Sequence, residues 1–118
     1  MGSFTFPDYF SEVYIINLPD RTDRLRSVKA ELTALGFEPN GPEVHVPFAP
    51  VVQDANGFSS TGVYGNFLSH LSILRDVQEK GHERALVLED DAIFRSSLRR
   101  PEVQAEAIAS ADRFDWTM

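Results

Sequence analysis

The sequence predicts an α/β fold with a mostly parallel sheet, and three observations support this prediction. Residues 13–17 are a short β-branched and aromatic run that indicates a buried strand, and residues 85–88 have the unbroken apolar character of a parallel strand covered on both faces. Two longer segments between them repeat apolar residues at helical spacing. The predicted order is strand, helix, weak strand, helix, strand and helix, and such alternation is typical of a helix-covered parallel sheet.

The first strand ends at Asn17, and the helix that follows it is expected to be capped by Asp20 or Thr22 and to stop at Gly36. The weak strand is expected at residues 44–46, within a stretch that is rich in proline.

The second helix is expected over residues 62–80, with Gly81 as its stop signal. Its predicted apolar face consists of Tyr64, Phe67, Leu68, Leu71 and Leu74, and the predicted opposite face consists of Ser69, Ser72, Asp76 and Lys80. A last helix is expected over residues 99–111, with Pro101 near its start.

Length and composition limit the class of protein. A chain of 118 residues is long enough for one domain. Its net charge of −7 argues against a general nucleic-acid surface, which needs clustered basic residues.

The chain has no cysteine, so disulfides and thiolate metal sites are excluded. No apolar run approaches the roughly 20 residues that span a bilayer, and no signal peptide is visible. A cytoplasmic protein, with peripheral attachment at the inner membrane as a variant, is the expectation.

Three consecutive acids follow the strand at residues 85–88. In an extended chain Glu89 and Asp91 point to one side and Asp90 to the other. Two carboxylates on one side can hold a hard cation such as Mg²⁺ or Mn²⁺, which prefers oxygen ligands. The alternative is that Asp90 or Asp91 caps the next helix while Glu89 is solvated, and the triplet alone leaves both interpretations open.

A second polar cluster follows the first strand. Asn17 stands at the strand end, and Arg21 and Arg24 lie one above the other near a helix N-terminus, where anions are favoured. Two such arginines could hold a diphosphate. The alternative, which these residues alone favour, is that they form surface ion pairs with Asp20 and Asp23. If the two strands are neighbours, both clusters face one crevice.

The second helix also carries candidate residues. His70 lies beside the predicted apolar stripe, where a partly buried structural histidine is the commoner explanation and a polar contact in the crevice is the alternative. Gly65 would let the helix backbone approach a ligand or another helix closely.

Three segments in order, "VYIINLPDRTDRLRSVKAELTALGF", "GNFLSHLSIL" and "ALVLEDDAIF", resemble glycosyltransferase family 25 over residues 13–94. That family includes bacterial lipopolysaccharide sugar transferases and procollagen galactosyltransferases. The resemblance implies a GT-A-type fold, which is a Rossmann-like, three-layer arrangement that binds a nucleotide-sugar, with a UDP-hexose as the expected donor. It also implies transfer of a hexose to a lipopolysaccharide-type or other glycan acceptor.

The resemblance also implies roles for residues. Glu89, Asp90 and Asp91 would replace the family's metal-binding acids, with Asp91 closest to Mn²⁺ or Mg²⁺ and Glu89 as its second ligand. The implied contacts to the donor come from Asn17, Arg21, Arg24, Ser69, His70, Glu89 and Asp90.

Two departures from the family pattern are visible. Asn66 stands where the family often has cysteine, and family members usually continue well past this point. Residues 1–118 are therefore expected to form a single, apparently truncated domain, the donor-binding half of such an enzyme. The alternative is a non-catalytic module that acts in binding or oligomerisation, for example as a homodimer.

Overall fold

The computed structural model describes residues 5–18, 20–47 and 52–112. Its centre is a sheet of three parallel strands in the order β2-β1-β3. The strands are β1 (Glu12–Ile16), β2 (Val44–His45) and β3 (Ala85–Glu89). The predicted α/β class and the parallel sheet are confirmed, and the two clearest predicted strands are direct neighbours.

Within these described ranges, four α-helices and one short 3₁₀ helix flank the sheet. They are α1 (Phe6–Tyr9), α2 (Thr22–Ala34), α3 (Thr61–Lys80), the 3₁₀ helix Ser96–Arg99 and α4 (Pro101–Asp112). The predicted order of strands and longer helices is confirmed. The sequence did not indicate α1 or the 3₁₀ helix, because four residues are too few to show an apolar period.

The helices form a layer on each face of the sheet. Val13 and Ile15 of β1 point to one face, where they pack in one fully buried cluster with Val28 and Leu32 of α2. Because side chains alternate along a strand, Tyr14 points to the other face, where its hydroxyl donates a hydrogen bond to Asp76 of α3. The result is three layers, which is the arrangement expected for a GT-A-like fold.

The start of α2 differs from the prediction. Arg21 is its N-cap, without a side-chain cap hydrogen bond, so the expected cap by Asp20 or Thr22 is wrong. A backbone hydrogen bond of 2.9 Å from the Arg21 N–H to the Leu18 carbonyl closes a turn that brings Arg21 to the cap position. The end of α3 agrees with the prediction, since Gly81 stops it in the left-handed region at φ 70°.

The buried face of α3 also differs from the prediction. Ser69 and Ile73 are its buried residues, whereas Phe67 and Leu74 of the predicted apolar face are 46% and 55% exposed. Apolar side chains occur around most of this helix, so their period does not select one face. The hydrogen bond between Tyr14 and Asp76 draws a polar side of α3 onto the sheet.

The side chain of Gln104 connects α4 to other segments of the fold through hydrogen bonds. Its side chain is 2% exposed, and its Oε1 accepts a hydrogen bond of 2.7 Å from the Phe6 N–H. Its Nε2 donates to the carbonyls of Leu35 at 3.1 Å and Leu98 at 2.7 Å. One buried amide thus satisfies three backbone groups from three segments, which stabilises the helical layer because buried polar groups need partners.

The replacement Tyr14→Phe is expected to reduce stability in a pH-dependent way. The hydrogen bond from Tyr14 is the largest cause that lowers the pKa of Asp76 below its ordinary value of 3.8, followed by the bond from Lys80. A carboxyl group with a lowered pKa stabilises the fold above its ordinary pKa and loses that contribution as pH falls through the lowered value. Chemical denaturation should therefore show wild type more stable at pH 7, with a difference that shrinks below about pH 4.

Tyr64→Phe is the matched control, because Tyr64 accepts only a long 3.4 Å hydrogen bond from the exposed Asn56. It should change stability little at either pH. A difference between wild type and Tyr14→Phe that is constant with pH would contradict the assigned role of Asp76.

Candidate functional site

A cavity of about 280 Å³ lies at the carboxyl-end edge of the sheet, between the ends of β1 and β3 and the first half of α3. Ile16, Leu18 and Val52 give it an apolar side. Its charged residues are Arg24, Glu89 and Asp90. Ligands of parallel α/β sheets bind beyond the carboxyl ends of the strands, so this position is the expected one for a site.

Asn17 connects the two sides of this edge. Its side chain is 6% exposed, and its Nδ2 donates one hydrogen bond of 3.0 Å to the Arg21 carbonyl and another of 3.2 Å to Asp90 Oδ2. A side-chain amide has two N–H donors, so both are engaged. The contact confirms that the polar clusters after β1 and β3 come together. The hydrogen bond from Asn17 also helps to hold the Asp90 carboxylate in position.

The two arginines of the first cluster behave differently. Arg21 forms a bidentate pair with Asp23, with Nε–Oδ1 and Nη2–Oδ2 distances of 3.1 Å, and the Arg21 guanidinium lowers the pKa of Asp23 to about 2. For Arg21 the surface ion pair is thus confirmed. Arg24 instead lies 3.6 Å from Asp90, between Nη1 and Oδ1, and lines the cavity. The expected pairing of Arg24 with Asp20 or Asp23 is not the one that forms.

The acidic triplet divides into two groups. Glu89 and Asp90 line the cavity, whereas Asp91 is exposed and is not among its lining residues. The acids form a turn, with the Ala92 N–H donating 3.1 Å to the Glu89 carbonyl. The next helical turn begins only after Arg95, so the alternative in which Asp90 or Asp91 caps a helix is wrong.

The turn of acids is held from α2 as well. The Phe94 N–H donates a hydrogen bond of 2.7 Å to Glu31 Oε1, and Ala92 and Phe94 pack against the main core. These contacts orient the chain immediately after the acids. The direction in which Glu89 and Asp90 leave β3 is therefore determined by packing on α2.

Of the two neighbouring candidates Ser69 and His70 in α3, only one lines the cavity. Ser69 is 7% exposed and lines the cavity together with Gly65 of the same helix. His70 is exposed and is not among the cavity-lining residues, so the expectation of a partly buried structural histidine is wrong. Adjacent residues of a helix are rotated by about 100°, and the rotation of α3 about its axis turns Ser69, and not His70, toward the cavity.

A larger cavity of about 600 Å³ lies between α3 and the end of β2, lined by residues that include Tyr14, His45 and Asp76. None of the residues predicted for the site lines it. Tyr14 and Asp76 are already engaged with each other there. We favour the smaller cavity as the functional site because it lies at the carboxyl-end edge of the sheet, where Arg24 meets Glu89 and Asp90 of the two predicted clusters.

Sequence comparison agrees with this assignment. The sequence profile of glycosyltransferase family 25, described as LPS biosynthesis proteins, matches residues 10–111. The chain belongs to glycosyltransferase family 25. The matched range contains every residue that lines the cavity.

Two curated relatives match most of the family 25 chain. Inactive glycosyltransferase 25 family member 3 of Homo sapiens is 31% identical over 125 residues, which is 92% of this chain and 21% of that protein. Procollagen galactosyltransferase 1-B of Xenopus laevis is 32% identical over 107 residues, which is 77% of this chain and 18% of that protein. The chain thus spans about a fifth of the length of these relatives. No solved structure matches it.

Among residues 5–18, 20–47 and 52–112, no helix combines the length and the apolar character that crossing a bilayer requires.

The divalent cation expected from the family resemblance would need oxygen ligands at this cavity. In the described part of the chain, no three His, Asp or Glu side chains gather into a group that could hold a metal. Mg²⁺ and Mn²⁺ often bind through only one or two carboxylates together with substrate phosphates. Glu89 and Asp90 fit that kind of site, and the involvement of Asp91 stays a prediction.

Sequence reasoning missed several residues of the site. Leu18, Thr61 and Gly62 line the cavity and were not singled out as site residues, and Asn66, which also lines it, was noted only as a departure from the family pattern. The signal for the first turn of α3 was present, since Ser60 is an N-cap whose Oγ accepts a 3.1 Å hydrogen bond from the Val63 N–H. Recognising this cap would have located a helix N-terminus, which favours anions, at this point of the chain. Its position beside the cavity is visible only in the structure.

Proposed function

We propose that this chain forms the donor-binding part of a family 25 glycosyltransferase that transfers a hexose from a nucleotide-sugar, with UDP-hexose as the expected donor. The observation that carries the proposal is the cavity in which Arg24 faces Glu89 and Asp90 at the carboxyl ends of two neighbouring parallel strands. A nucleotide-sugar needs both kinds of charge, since its diphosphate is anionic and binds together with a cation.

The diphosphate has three sources of stabilisation at this cavity. The Arg24 guanidinium can donate charge-assisted hydrogen bonds to phosphate oxygens. Thr61 and Gly62 bring the N-terminal turn of α3, with its partial positive charge, to the same cavity. Ile16 and Leu18 give the cavity an apolar side next to these groups, and a less polar surrounding strengthens electrostatic interactions.

Mn²⁺ or Mg²⁺ would be held by Glu89 and Asp90 and would act as a Lewis acid that stabilises the departing diphosphate. Asn17 keeps Asp90 in position, and Ser69 supplies a hydroxyl at the cavity wall. The acceptor is proposed to be a lipopolysaccharide-type or other glycan, in line with the family's description as LPS biosynthesis proteins.

Calorimetric titration of the chain with UDP, UDP-galactose and UDP-glucose, each with and without Mn²⁺, tests the proposal. We expect metal-dependent binding with dissociation constants in the range of about 1 µM to 1 mM that is usual for enzyme substrates. Failure of the folded chain to bind any of them under either condition would contradict it.

The same titration on Glu89→Gln and Asp91→Asn assigns the metal ligands. Both replacements remove one charge and keep the side-chain size. Glu89→Gln should remove most of the Mn²⁺ dependence because Glu89 lines the cavity. An effect of Asp91→Asn as large as that of Glu89→Gln would support the original expectation that Asp91 is closest to the cation.

A second candidate function is a non-catalytic module that acts in binding or oligomerisation. It is favoured by the human relative, which is named inactive and matches 92% of this chain. Donor binding is compatible with both functions, so turnover separates them. Release of UDP from UDP-galactose in the presence of Mn²⁺ would support an enzyme, and tight binding without release would support the module.

The replacement Gly65→Leu is expected to block the cavity without unfolding the chain. Gly65 lies inside α3 and lines the cavity, so a leucine side chain would occupy part of its volume of about 280 Å³. Glycine is less favourable than leucine in a helix interior by nearly 1 kcal/mol, so helix stability should not fall. We expect UDP affinity to fall at least about tenfold, as is typical of a lost close contact of about 1.4 kcal/mol.

Gln78→Leu is the control, since it adds the same side chain to an exposed position near the other end of α3. UDP binding that survives Gly65→Leu would place the donor outside this cavity.

A further inference from the structure

Arg24 and Asp90 carry opposite charges into the same cavity, and they contact each other there. The distance from Arg24 Nη1 to Asp90 Oδ1 is 3.6 Å. N–H···O hydrogen bonds are usually 2.7–3.2 Å long, so this is an ion pair without a good hydrogen bond. The neighbouring pair of Arg21 with Asp23 has two contacts of 3.1 Å. The pair with the longer contact is the one at the cavity.

The two partners are held very differently. Asp90 is 13% exposed, and its Oδ2 accepts a hydrogen bond from Asn17, which is itself buried and bonded to the Arg21 carbonyl. Arg24 is 46% exposed and reaches the cavity from the first turn of α2 on a long, unbranched side chain. Asp90 is thus the fixed partner, and Arg24 is the one that can turn to another anion.

We propose that the Arg24–Asp90 ion pair is a latch, which here means a contact that is made when no ligand is bound and broken when the donor diphosphate and its cation bind. A diphosphate takes Arg24 away from Asp90, and a divalent cation takes Asp90 away from Arg24. This inference rests on the proposed function and specifies how anion and cation binding are coupled at the same site.

The latch makes each ligand assist the other. With neither ligand present, each charge of the pair is compensated by its partner. An anion that binds alone must break the pair and leaves Asp90 without its cationic partner, and a cation that binds alone leaves Arg24 unpaired. Bound together, the two ligands replace both lost interactions. Coupling of this kind is reciprocal, so the anion strengthens cation binding by the same factor as the cation strengthens anion binding.

The replacement Asp90→Asn separates the latch from an ordinary binding role. An asparagine of the same shape can still accept the hydrogen bond from Asn17, but it no longer competes for Arg24. Titration with UDP and with inorganic pyrophosphate in the absence of metal should show about two- to fivefold tighter binding, the range expected when an exposed ion pair no longer has to be broken. The Mn²⁺ dependence of UDP binding should fall in the same variant.

Two further variants exclude a general charge effect. Glu89→Gln removes one negative charge from the same cavity but leaves the Arg24–Asp90 pair intact, so metal-free pyrophosphate should gain less from it. In an Arg24→Gln background, Asp90→Asn should bring a clearly smaller gain for metal-free anions, because no arginine is left to release and only the repulsion by the carboxylate is removed. The melting temperature of each variant shows whether it is folded.

The cation side provides an independent measurement. Mn²⁺ alone should bind Arg24→Gln about two- to fivefold more tightly than wild type, because Asp90 is then free of its competitor. This measurement stands if Asp90→Asn does not fold.

The outcomes are distinguishable. A gain from Asp90→Asn that depends on Arg24 supports the latch. No gain, or an equal gain in the Arg24→Gln background, overturns the latch and leaves the donor site intact if wild type binds UDP. Absence of UDP binding by wild type, with and without Mn²⁺, overturns the proposed function and the latch together.

Discussion

Replacing Leu32 by alanine is expected to lower the free energy of unfolding by about 2–5 kcal/mol, the usual range for a leucine removed from a packed core. Leu32 is fully buried in α2, within the cluster that includes Val13 and Ile15 of the central strand. The replacement removes apolar contacts and leaves a cavity against the sheet. Since small domains are stable by only about 5–15 kcal/mol, equilibrium denaturation in urea should show a large shift of the midpoint.

Leu74→Ala is the matched control for this prediction. Leu74 lies on α3 and is 55% exposed, although its sequence pattern places it on an apolar face. Its replacement should change the free energy of unfolding by no more than about 0.5 kcal/mol, as surface substitutions usually do. Equal losses from the two variants would mean that α3 packs by the face that the sequence predicted, and the described orientation of α3 would be wrong.

Replacing Asn17 by aspartate is expected to destabilise the chain and to abolish UDP binding. The new carboxylate would stand about where Nδ2 now donates to Asp90 Oδ2 at 3.2 Å, and it could not donate to the Arg21 carbonyl. Two carboxylates at this distance repel each other, and the Arg21 carbonyl loses a buried partner, which together should cost several kcal/mol, on the order of 3.

The pH dependence of Asn17→Asp identifies this repulsion. Protonation of one of the two carboxyl groups removes the repulsion and restores a hydrogen bond between them. The deficit in stability relative to wild type should therefore be largest at neutral pH and should shrink as pH falls below about 5. Denaturation curves recorded from pH 7 to pH 4 measure it.

Asn40→Asp is the control, because it makes the same change of charge beside a cation. Asn40 Oδ1 accepts a hydrogen bond of 3.0 Å from Lys29 Nζ at an exposed position. This variant should keep wild-type stability and UDP binding. A deficit of Asn17→Asp that does not change with pH would mean that Asp90 is not its close neighbour.

Most of the longer helices and strands could be predicted from the sequence. The strands at β1 and β3 and the helices α2, α3 and α4 were predicted, because their signals lie within a few residues: unbroken apolar runs, helical spacing, and Gly81 as a stop. The meeting of the clusters after β1 and β3 also followed, since the carboxyl ends of neighbouring parallel strands share one edge.

The choice among similar side chains did not follow from the sequence. Arg21 and Arg24 lie near the start of the same helix and were equally good candidates for a diphosphate contact, yet only Arg24 lines the cavity. Ser69 and His70 are adjacent, yet only Ser69 lines it. In each case the outcome depends on the rotation of a helix about its axis, which is set by its packing against the sheet.

By itself, the sequence determined the α/β class, the parallel alternation of elements and the two polar segments that supply the site. Only the tertiary structure decided which residues meet, as with Asn17 and Asp90, which are 73 positions apart along the chain. Likewise, the contacts that draw Asp76 onto Tyr14 and Gln104 into the helical layer join distant segments. Local sequence patterns determine whether a segment prefers to form a helix or a strand. The distances between remote side chains exist only after the sheet has brought those segments together.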